Sequence, residues 1–140
     1  MSFVGPRPNV KRETDLYSNE EKKLLSVRPG ITDFASIVFS DEGYILDGSD
    51  DPDLDYNQLI RPWKSRLGLF YINNKSFFLD IKLIILTVLS ILSREKALEY
   101  ITRILSNLDA DRELIEVSKR KTSLVPYPPP GTDKIVLSRK

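Results

Sequence analysis

Two arginines beside prolines are the residues of this 140-residue sequence whose surroundings best suit chemistry. Arg7 lies between Pro6 and Pro8, and Arg28 stands before a Pro-Gly pair. Each proline fixes its own φ and restricts the preceding residue, so Arg7 has little conformational freedom left to lose on binding. A planar guanidinium held in this way matches phosphate oxygens. A proline-rich turn that leaves Arg7 in water is the alternative interpretation of the same residues.

Several kinds of site are excluded by the amino-acid composition, because the sequence contains no cysteine and no histidine. Disulfides, thiol nucleophiles, zinc sites with thiolate or imidazole ligands, and Ser–His or Cys–His catalytic pairs all require these residues. An acidic run, Asp51-x-Asp53-x-Asp55, has the spacing that opens an EF-hand calcium loop. Tyr56 replaces the turn glycine of that loop and Pro62 replaces its bidentate glutamate, so we predict a solvated loop and no metal site.

The net charge of +1 conceals an uneven distribution along the chain. Residues 29–57 carry eight acidic and no basic side chains, whereas residues 58–93 carry five basic and one acidic. The basic segment is also strongly apolar. Lys and Arg among apolar residues suit an anionic membrane surface or a phosphate-bearing ligand, and we expect no nucleic-acid partner.

The apolar segment at residues 77–92 has only four polar residues among its sixteen: Asp80, Lys82, Thr87 and Ser90. A helix of this length rises ~24 Å, short of the ~20 apolar residues that span a bilayer, so we predict no transmembrane helix. Either the segment is a buried core helix, or it lies at a membrane interface. The second interpretation gives it aromatic and cationic membrane contacts, drawn from Trp63, Tyr71, Phe77, Phe78, Lys64, Arg66, Lys75 and Lys82.

The remaining patterns predict a mainly α fold, or α+β with a minor strand. Apolar spacing and capping residues predict helices near residues 10–25, 61–72, 77–93 and 94–120, the last of them interrupted at 107–111. Pro62 is compatible with the second helix if that helix begins near Arg61. A short β-branched run predicts a strand over 34–39, and residues 40–55 read as an acidic surface loop. The Pro-rich end of the chain resembles polyproline II and is expected to be mobile or draped over a partner.

Three ordered motifs carry a resemblance to a known family. They are Ser-Phe-Val-Gly-Pro-Arg-Pro at 2–8, Val-Arg-Pro-Gly-Ile-Thr at 27–32, and the segment from Tyr71 to Thr87. Together they resemble the bacterial sugar transferase family, the monotopic polyprenyl-phosphate sugar-1-phosphate transferases. The resemblance covers roughly residues 1–94. It leaves residues 95–121 as a helical extension and 122–140 as a Pro-rich flexible tail.

What the resemblance implies is a specific reaction. Members of the family transfer a sugar 1-phosphate from a UDP-sugar to undecaprenyl phosphate at the cytoplasmic face of the inner membrane. The product starts the assembly of O-antigen, lipopolysaccharide, capsule or exopolysaccharide. The family uses Mg²⁺ and an Asp-Glu pair whose Asp is the nucleophile. The resemblance also implies that Arg7 and Arg28, with Pro6 and Pro8, face the phosphates of the substrates.

The sequence departs from the family pattern at several points. In the family, the Asp-Glu pair and a membrane-inserted helix precede the Gly-Pro-Arg-Pro motif, whereas this sequence starts at Met1 just before that motif. Asp33 stands where the family usually has glycine, and Gly68 where it often has an acidic residue. We therefore expect the C-terminal portion of such an enzyme, without the catalytic pair or metal ligands and inactive alone. The alternatives are a non-catalytic membrane-peripheral or partner-binding protein derived from that fold, or a soluble helical domain with an unrelated role.

Overall fold

A computed structural model of the chain describes residues 2–5, 19–26, 30–121, 124–130 and 135. Within these residues the fold is mainly α, as predicted, with one pair of short strands. The elements in chain order are β1 (Ser2–Val4), the 3₁₀ helix α1 (Glu21–Ser26), β2 (Gly30–Thr32), α2 (Phe34–Val38), α3 (Glu42–Leu46), α4 (Pro52–Asp55), α5 (Arg61–Asn74), α6 (Phe77–Leu92), α7 (Arg94–Asn107) and α8 (Arg112–Ser118). A π-helical segment, Tyr56–Ile60, leads from α4 into α5.

The strands β1 and β2 pair in parallel, with Ser2 opposite Gly30 and Val4 opposite Thr32. The Gly5 amide donates to the Thr32 carbonyl at 3.1 Å, and the Gly30 amide donates to the Gly5 carbonyl at 3.2 Å. The backbones approach so closely that a Cβ on Gly30 would lie 2.2 Å from the Gly5 nitrogen. Glycine is therefore required at position 30 by the space available.

The predicted strand over 34–39 is wrong, because these residues form the helix α2. Asp33 caps this helix: its Oδ1 accepts hydrogen bonds from the Ser36 amide at 2.8 Å and the Ser36 hydroxyl at 2.7 Å. Four of the five residues of α2 are buried, so the short helix has no polar face that would have revealed a helical period. The strand that follows the first described residues in the chain lies instead at Gly30–Thr32.

The acidic segment over 40–55 is not one continuous loop, since it contains the short helices α3 and α4. The prediction that this segment lies at the surface is consistent with α3, none of whose residues is buried. The following helix α5 begins at Arg61 with Pro62 in its first turn, which confirms the predicted placement of that proline. Of the predicted helix over 10–25, residues 10–18 lie outside the described part of the chain, and Glu21–Ser26 forms the 3₁₀ helix α1.

The helices α6 and α7 are separated by Ser93, as the sequence suggested. The Ser93 hydroxyl accepts a hydrogen bond from the Lys96 amide at 3.5 Å and caps α7. The predicted interruption at 107–111 is also found, between α7 and α8. The helix α7 buries apolar side chains in the same core as α2, α5 and α6, namely Ala97, Leu98, Ile101 and Leu105. The helical extension therefore shares one core with the residues before it.

Residues 124–130, which we call the C-terminal strap, lie along α5. The Tyr127 ring centroid is 4.6 Å from that of Trp63 and 4.7 Å from the Arg66 guanidinium carbon. The Tyr127 amide donates to the Gln58 carbonyl at 3.0 Å. This part of the Pro-rich end therefore packs against α5 through the ring of Tyr127. Residues 131–134 and 136–140 lie outside the described residues.

Candidate functional site

The four residues predicted to face phosphate, Pro6, Arg7, Pro8 and Arg28, lie outside the described residues. Their neighbours in the chain are described and lie side by side. Gly5, which precedes Pro6, exchanges hydrogen bonds with the strand β2 that begins two residues after Arg28. The fold therefore joins the first two sequence motifs by backbone pairing.

The third motif is attached to the same strand pair through α6. The Thr87 and Thr32 hydroxyls lie 2.6 Å apart, and the Thr87 hydroxyl also donates to the Leu83 carbonyl at 2.7 Å. Helix α6 packs against both β1 and β2. Three segments that are far apart in sequence thus meet at one place, which is the arrangement a shared substrate site requires.

Tyr71 and Asp80, both in the third motif, form a hydrogen-bonded pair between α5 and α6. The Tyr71 hydroxyl donates to Asp80 Oδ1 at 2.5 Å, and the tyrosine is buried. Burial raises the pKa of Tyr71, and the hydrogen bond to Asp80 and the charge of Asp33 raise it further. The phenol therefore stays protonated and serves as a donor that orients the carboxylate.

A buried ionic cluster joins α1 to α5, and the sequence analysis missed it. Arg61 donates through Nε and Nη2 to the two carboxylate oxygens of Glu21, at 3.0 and 2.6 Å. The Ser65 hydroxyl donates to Glu21 at 2.5 Å, and Arg61 Nη1 donates to Asn57 Oδ1 at 3.1 Å. Glu21 is 0% exposed and Arg61 2%. The available signal was the spacing of four between Asn57, Arg61 and Ser65, which places three polar residues on one helical face.

The helix α6 has two apolar faces, of which only one is buried. Leu79, Leu83 and Leu86 point into the core. The opposite face presents a continuous row of apolar side chains to solvent: Phe77, Phe78, Ile81, Ile84, Ile85, Val88, Ile91 and Leu92. Phe77 and Phe78 are 74% and 76% exposed. We call this row the outer face of α6; the exposed Lys82 lies at its edge. The buried-core interpretation is thus confirmed for the inner face, and contact of the outer face with a membrane stays a prediction.

Trp63 does not join Phe77, Phe78 and Lys82 at this surface, which corrects the expectation for that residue. Its indole is 4% exposed, stacked on Tyr127 and lying 5.2 Å from the Arg66 guanidinium carbon. The ring is buried between α5 and the C-terminal strap, so it is not available for contact with a membrane. Membrane contact by the other three residues stays a prediction.

Acidic residues do not gather into a metal site in the described part of the chain, where no group of three or more potential ligands lies together. In the acidic run, Asp51 accepts a hydrogen bond from the Leu54 amide and Asp55 accepts one from the Ser49 hydroxyl. No helix among the described residues is long and apolar enough to cross a membrane.

The sequence holds one adjacent Asp-Glu pair, Asp41-Glu42, downstream of the first two motifs. Both carboxylates are engaged in ion pairs: Asp41 with Arg94 and Arg120, each at 3.1 Å, and Glu42 with Lys64 at 3.2 Å. Their contacts connect α2 and α3 to later helices. This pair therefore acts in the packing of the fold.

Comparison with known proteins supports the family resemblance of the three motifs. A family model described as bacterial sugar transferase matches residues 1–94. The chain belongs to the bacterial sugar transferase family. Over 95 residues, 68% of its length, it is 34% identical to the sugar transferase EpsL of Bacillus subtilis, of which it covers 39%. Over 88 residues, 63% of its length, it is 34% identical to the galactosyl transferase CpsE of Streptococcus agalactiae serotype III, of which it covers 16%.

The chain thus spans about two fifths and one sixth of the lengths of these two sugar transferases. No solved structure matches it. The part that matches the bacterial sugar transferase family ends at Arg94, the first residue of α7. The helices α7 and α8 and the C-terminal strap lie beyond the match, although α7 completes the core beneath it.

Proposed function

We propose that this chain is the C-terminal portion of an enzyme that transfers a sugar 1-phosphate from a UDP-sugar to undecaprenyl phosphate. The reaction takes place at the cytoplasmic face of the inner membrane and starts the assembly of O-antigen, capsule or exopolysaccharide. Membership of the sugar transferase family supports the general class of the reaction. The observation that carries the proposal is the junction of all three family-like motifs at β1, β2 and α6.

In this proposal Arg7 and Arg28 bind the phosphate groups of the two substrates. In the sequence Arg7 follows the end of β1 by three residues and Arg28 precedes β2 by two, and these two strands pair side by side, which supports a shared site for the two arginines. Guanidinium groups suit this role because they offer paired N–H donors to phosphate oxygens and stay charged. Fixed cations stabilise the charge that develops during phosphoryl transfer.

The outer face of α6 binds the membrane surface in this proposal, which brings the site to the lipid substrate. Eight exposed apolar side chains lie in one row along this face, with Lys82 beside them. A helix with this arrangement lies in the interfacial plane, its apolar side among acyl chains and its cations near anionic headgroups. An amphipathic helix of this kind needs no membrane-spanning length.

Magnesium is implied by the resemblance, but the described residues offer no cluster of acids that fits the ion. We therefore assign the ion and the nucleophilic carboxylate to the Asp-Glu segment that precedes the Gly-Pro-Arg-Pro motif in the family, and derive no step through them. The described residues contribute positioning: β1 pairs with β2, and the hydroxyls of Thr32 and Thr87 join β2 to α6.

The test is transfer of radiolabelled sugar phosphate to undecaprenyl phosphate, by a protein that includes the upstream Asp-Glu segment. Arg7→Ala should cost about 2–4 kcal/mol of transition-state stabilisation, which is the scale for removing a preorganised charge-stabilising donor. Arg7→Lys should recover part of that loss, because an ammonium group does not reproduce the planar fork. Lys96→Ala, at an exposed cation on α7, is the control and should leave turnover unchanged. Wild-type turnover in Arg7→Ala would refute the proposed role of that residue.

A further inference from the structure

We propose that a cavity between α7 and the end of α8 binds a phosphorylated, hydroxyl-rich small molecule of the sugar phosphate class. The cavity lies in the part of the chain beyond the family match, since all its lining residues fall at position 94 or later. Its volume of about 460 Å³ exceeds what a bare phosphate ion fills and lies within the ~300–1,000 Å³ range of small-molecule sites.

One side of the cavity is rich in cations. Arg94, Lys119, Arg120 and Lys121 all line it. Arg94 and Arg120 share a single carboxylate, that of Asp41, so two guanidinium charges are offset by one negative charge. Lys119 is paired with Glu116 at 3.0 Å, whereas Lys121 is exposed and forms no ion pair among the described residues. Counted with Glu95 and Glu99, which also line the cavity, the four cations are balanced by four carboxylates, so an anion is favoured only close to Arg120 and Lys121.

Arg120 is held in place before any ligand arrives. Its side chain is 10% exposed, its guanidinium carbon lies 5.3 Å from the Phe39 ring, and both its Nη atoms donate to Asp41. Its backbone has φ of 55°, an uncommon conformation for a residue other than glycine. Its Nε is buried and has no hydrogen-bond acceptor among the described residues. The contacts with Asp41 and Phe39 hold this guanidinium in one place, which lowers the entropy lost on binding an anion.

The other side of the cavity offers acceptors for hydroxyl groups. Glu95 and Glu99 line it from the first two turns of α7, together with Thr102 one turn further along. Carboxylates repel a bare phosphate but accept hydrogen bonds from sugar hydroxyls. A lining that combines four cations with two carboxylates and a threonine therefore fits a ligand that carries a phosphate and several hydroxyls, and disfavours inorganic phosphate alone.

The experiment is calorimetric titration of the 140-residue chain with three probes: a hexose 1-phosphate, the neutral hexose and inorganic phosphate. We expect saturable binding of the hexose 1-phosphate, at least about tenfold tighter than that of either other probe. Lys121→Ala should weaken it about tenfold, which corresponds to the loss of one charge-assisted hydrogen bond. Lys96→Ala is the matched control, since it removes an exposed lysine of α7 that does not line the cavity.

Two further variants separate this site from the proposed transferase site. Glu99→Gln should weaken binding of the hexose 1-phosphate and leave that of inorganic phosphate unchanged or tighter. Arg7→Ala should leave the titration unchanged, whereas it should abolish the signal if the ligand binds only at the transferase site. Circular dichroism of each variant checks that it is folded. The proposal is overturned by absence of saturable binding, by equal affinity for inorganic phosphate, or by equal effects of Lys121→Ala and Lys96→Ala.

Discussion

Glu21 and Arg61 are charged residues in the interior, and their pairing illustrates how burial changes the value of an ion pair. The two hydrogen bonds between them, and those from Ser65 and to Asn57, satisfy groups that have left water. Removing one partner leaves the other charge buried without compensation, which costs far more than loss of a surface pair. The pair also connects α1 to α5, so its loss loosens the segment that follows the Gly-Pro-Arg-Pro motif.

We expect Glu21→Gln to lower the free energy of unfolding by about 3–5 kcal/mol, because it removes the carboxylate charge that accepts two hydrogen bonds from the buried Arg61 guanidinium. Glu20→Gln is the matched control: its side chain is 50% exposed and pairs with Lys23 at the surface, so its cost should stay below about 1 kcal/mol. Urea denaturation followed by circular dichroism measures both. Equal effects of the two substitutions would show that the buried pair contributes no more than an exposed one.

The buried phenol of Tyr71 makes the free energy of unfolding decrease at alkaline pH. Its pKa is raised in the folded chain by burial and by Asp80, so the unfolded chain loses the phenolic proton first, near its ordinary pKa of about 10. The stabilising effect is complete below that pH and is lost as pH rises through the folded pKa. Tyr71→Phe should cost about 1–3 kcal/mol at neutral pH and lose less stability than wild type between about pH 9 and 11. Parallel alkaline slopes in thermal unfolding of the two proteins would contradict this.

At the scale of the element, α6 shows how one helix can serve both a core and a surface. Its inner leucines pack against α7 and the strands, while its outer face has no cover among the described residues. Polar partners fix its rotation: Asp80 bonds to Tyr71 of α5, and Thr87 to Thr32 of β2. These two contacts fix the rotation of α6 about its axis, so its outer face points to solvent.

The chain should bind anionic vesicles through the outer face of α6, and high salt should weaken binding only in part, since apolar burial is not screened. Phe77→Ala with Phe78→Ala should weaken binding at least tenfold, because burying one phenylalanine is worth about 1.5–3 kcal/mol. Tyr44→Ala is the control, as Tyr44 is 84% exposed on α3, away from this face. Vesicle sedimentation measures the partition. Full recovery of wild type in the supernatant at low salt would contradict the proposed contact.

Local signals in the sequence located the elements best where a cap or a proline marked an end. Pro62 placed the start of α5, and the apolar run placed α6. The strand over 34–39 was predicted in error because its residues are apolar on all sides, and the cap at Asp33 was not considered. Tertiary contacts escaped prediction altogether: the Glu21–Arg61 pair joins residues 40 positions apart, and Trp63 is covered by a tyrosine 64 positions later.

For the whole molecule, the match to the family ends at residue 94, whereas the hydrophobic core includes residues beyond that position. Ile101 and Leu105 of α7 are fully buried, and Asp41 near the end of α2 binds Arg120 after α8. The helical extension is thus needed to cover the region that holds the three motifs. A truncation after residue 94 would expose the buried apolar surface that α7 now covers.

In the proposed reaction the nucleophilic carboxylate belongs to an Asp-Glu segment upstream of the Gly-Pro-Arg-Pro motif, so we predict that residues 1–140 alone do not transfer sugar phosphate. Asp41 and Glu42 are held in ion pairs, and Asp80 accepts from Tyr71. Extension of the chain by the upstream Asp-Glu segment should restore turnover. The measurement is the radiolabel transfer assay with magnesium, alongside a check of helical content by circular dichroism. Robust turnover by the 140 residues would place the nucleophile among the carboxylates named here.

The ion pair between Asp41 and Arg120 cannot form until the ribosome has synthesised nearly the whole chain. These partners are 79 residues apart, so at a synthesis rate of ~5–20 residues per second, roughly 4–16 s pass between their translation. The contact between the Thr32 and Thr87 hydroxyls likewise requires synthesis of the 55 residues that follow Thr32. During that interval the helices that contact α2 are completed one after another, α5 first and α7 last. We therefore expect the nascent chain to expose part of the apolar surface of α2 until α7 has been synthesised.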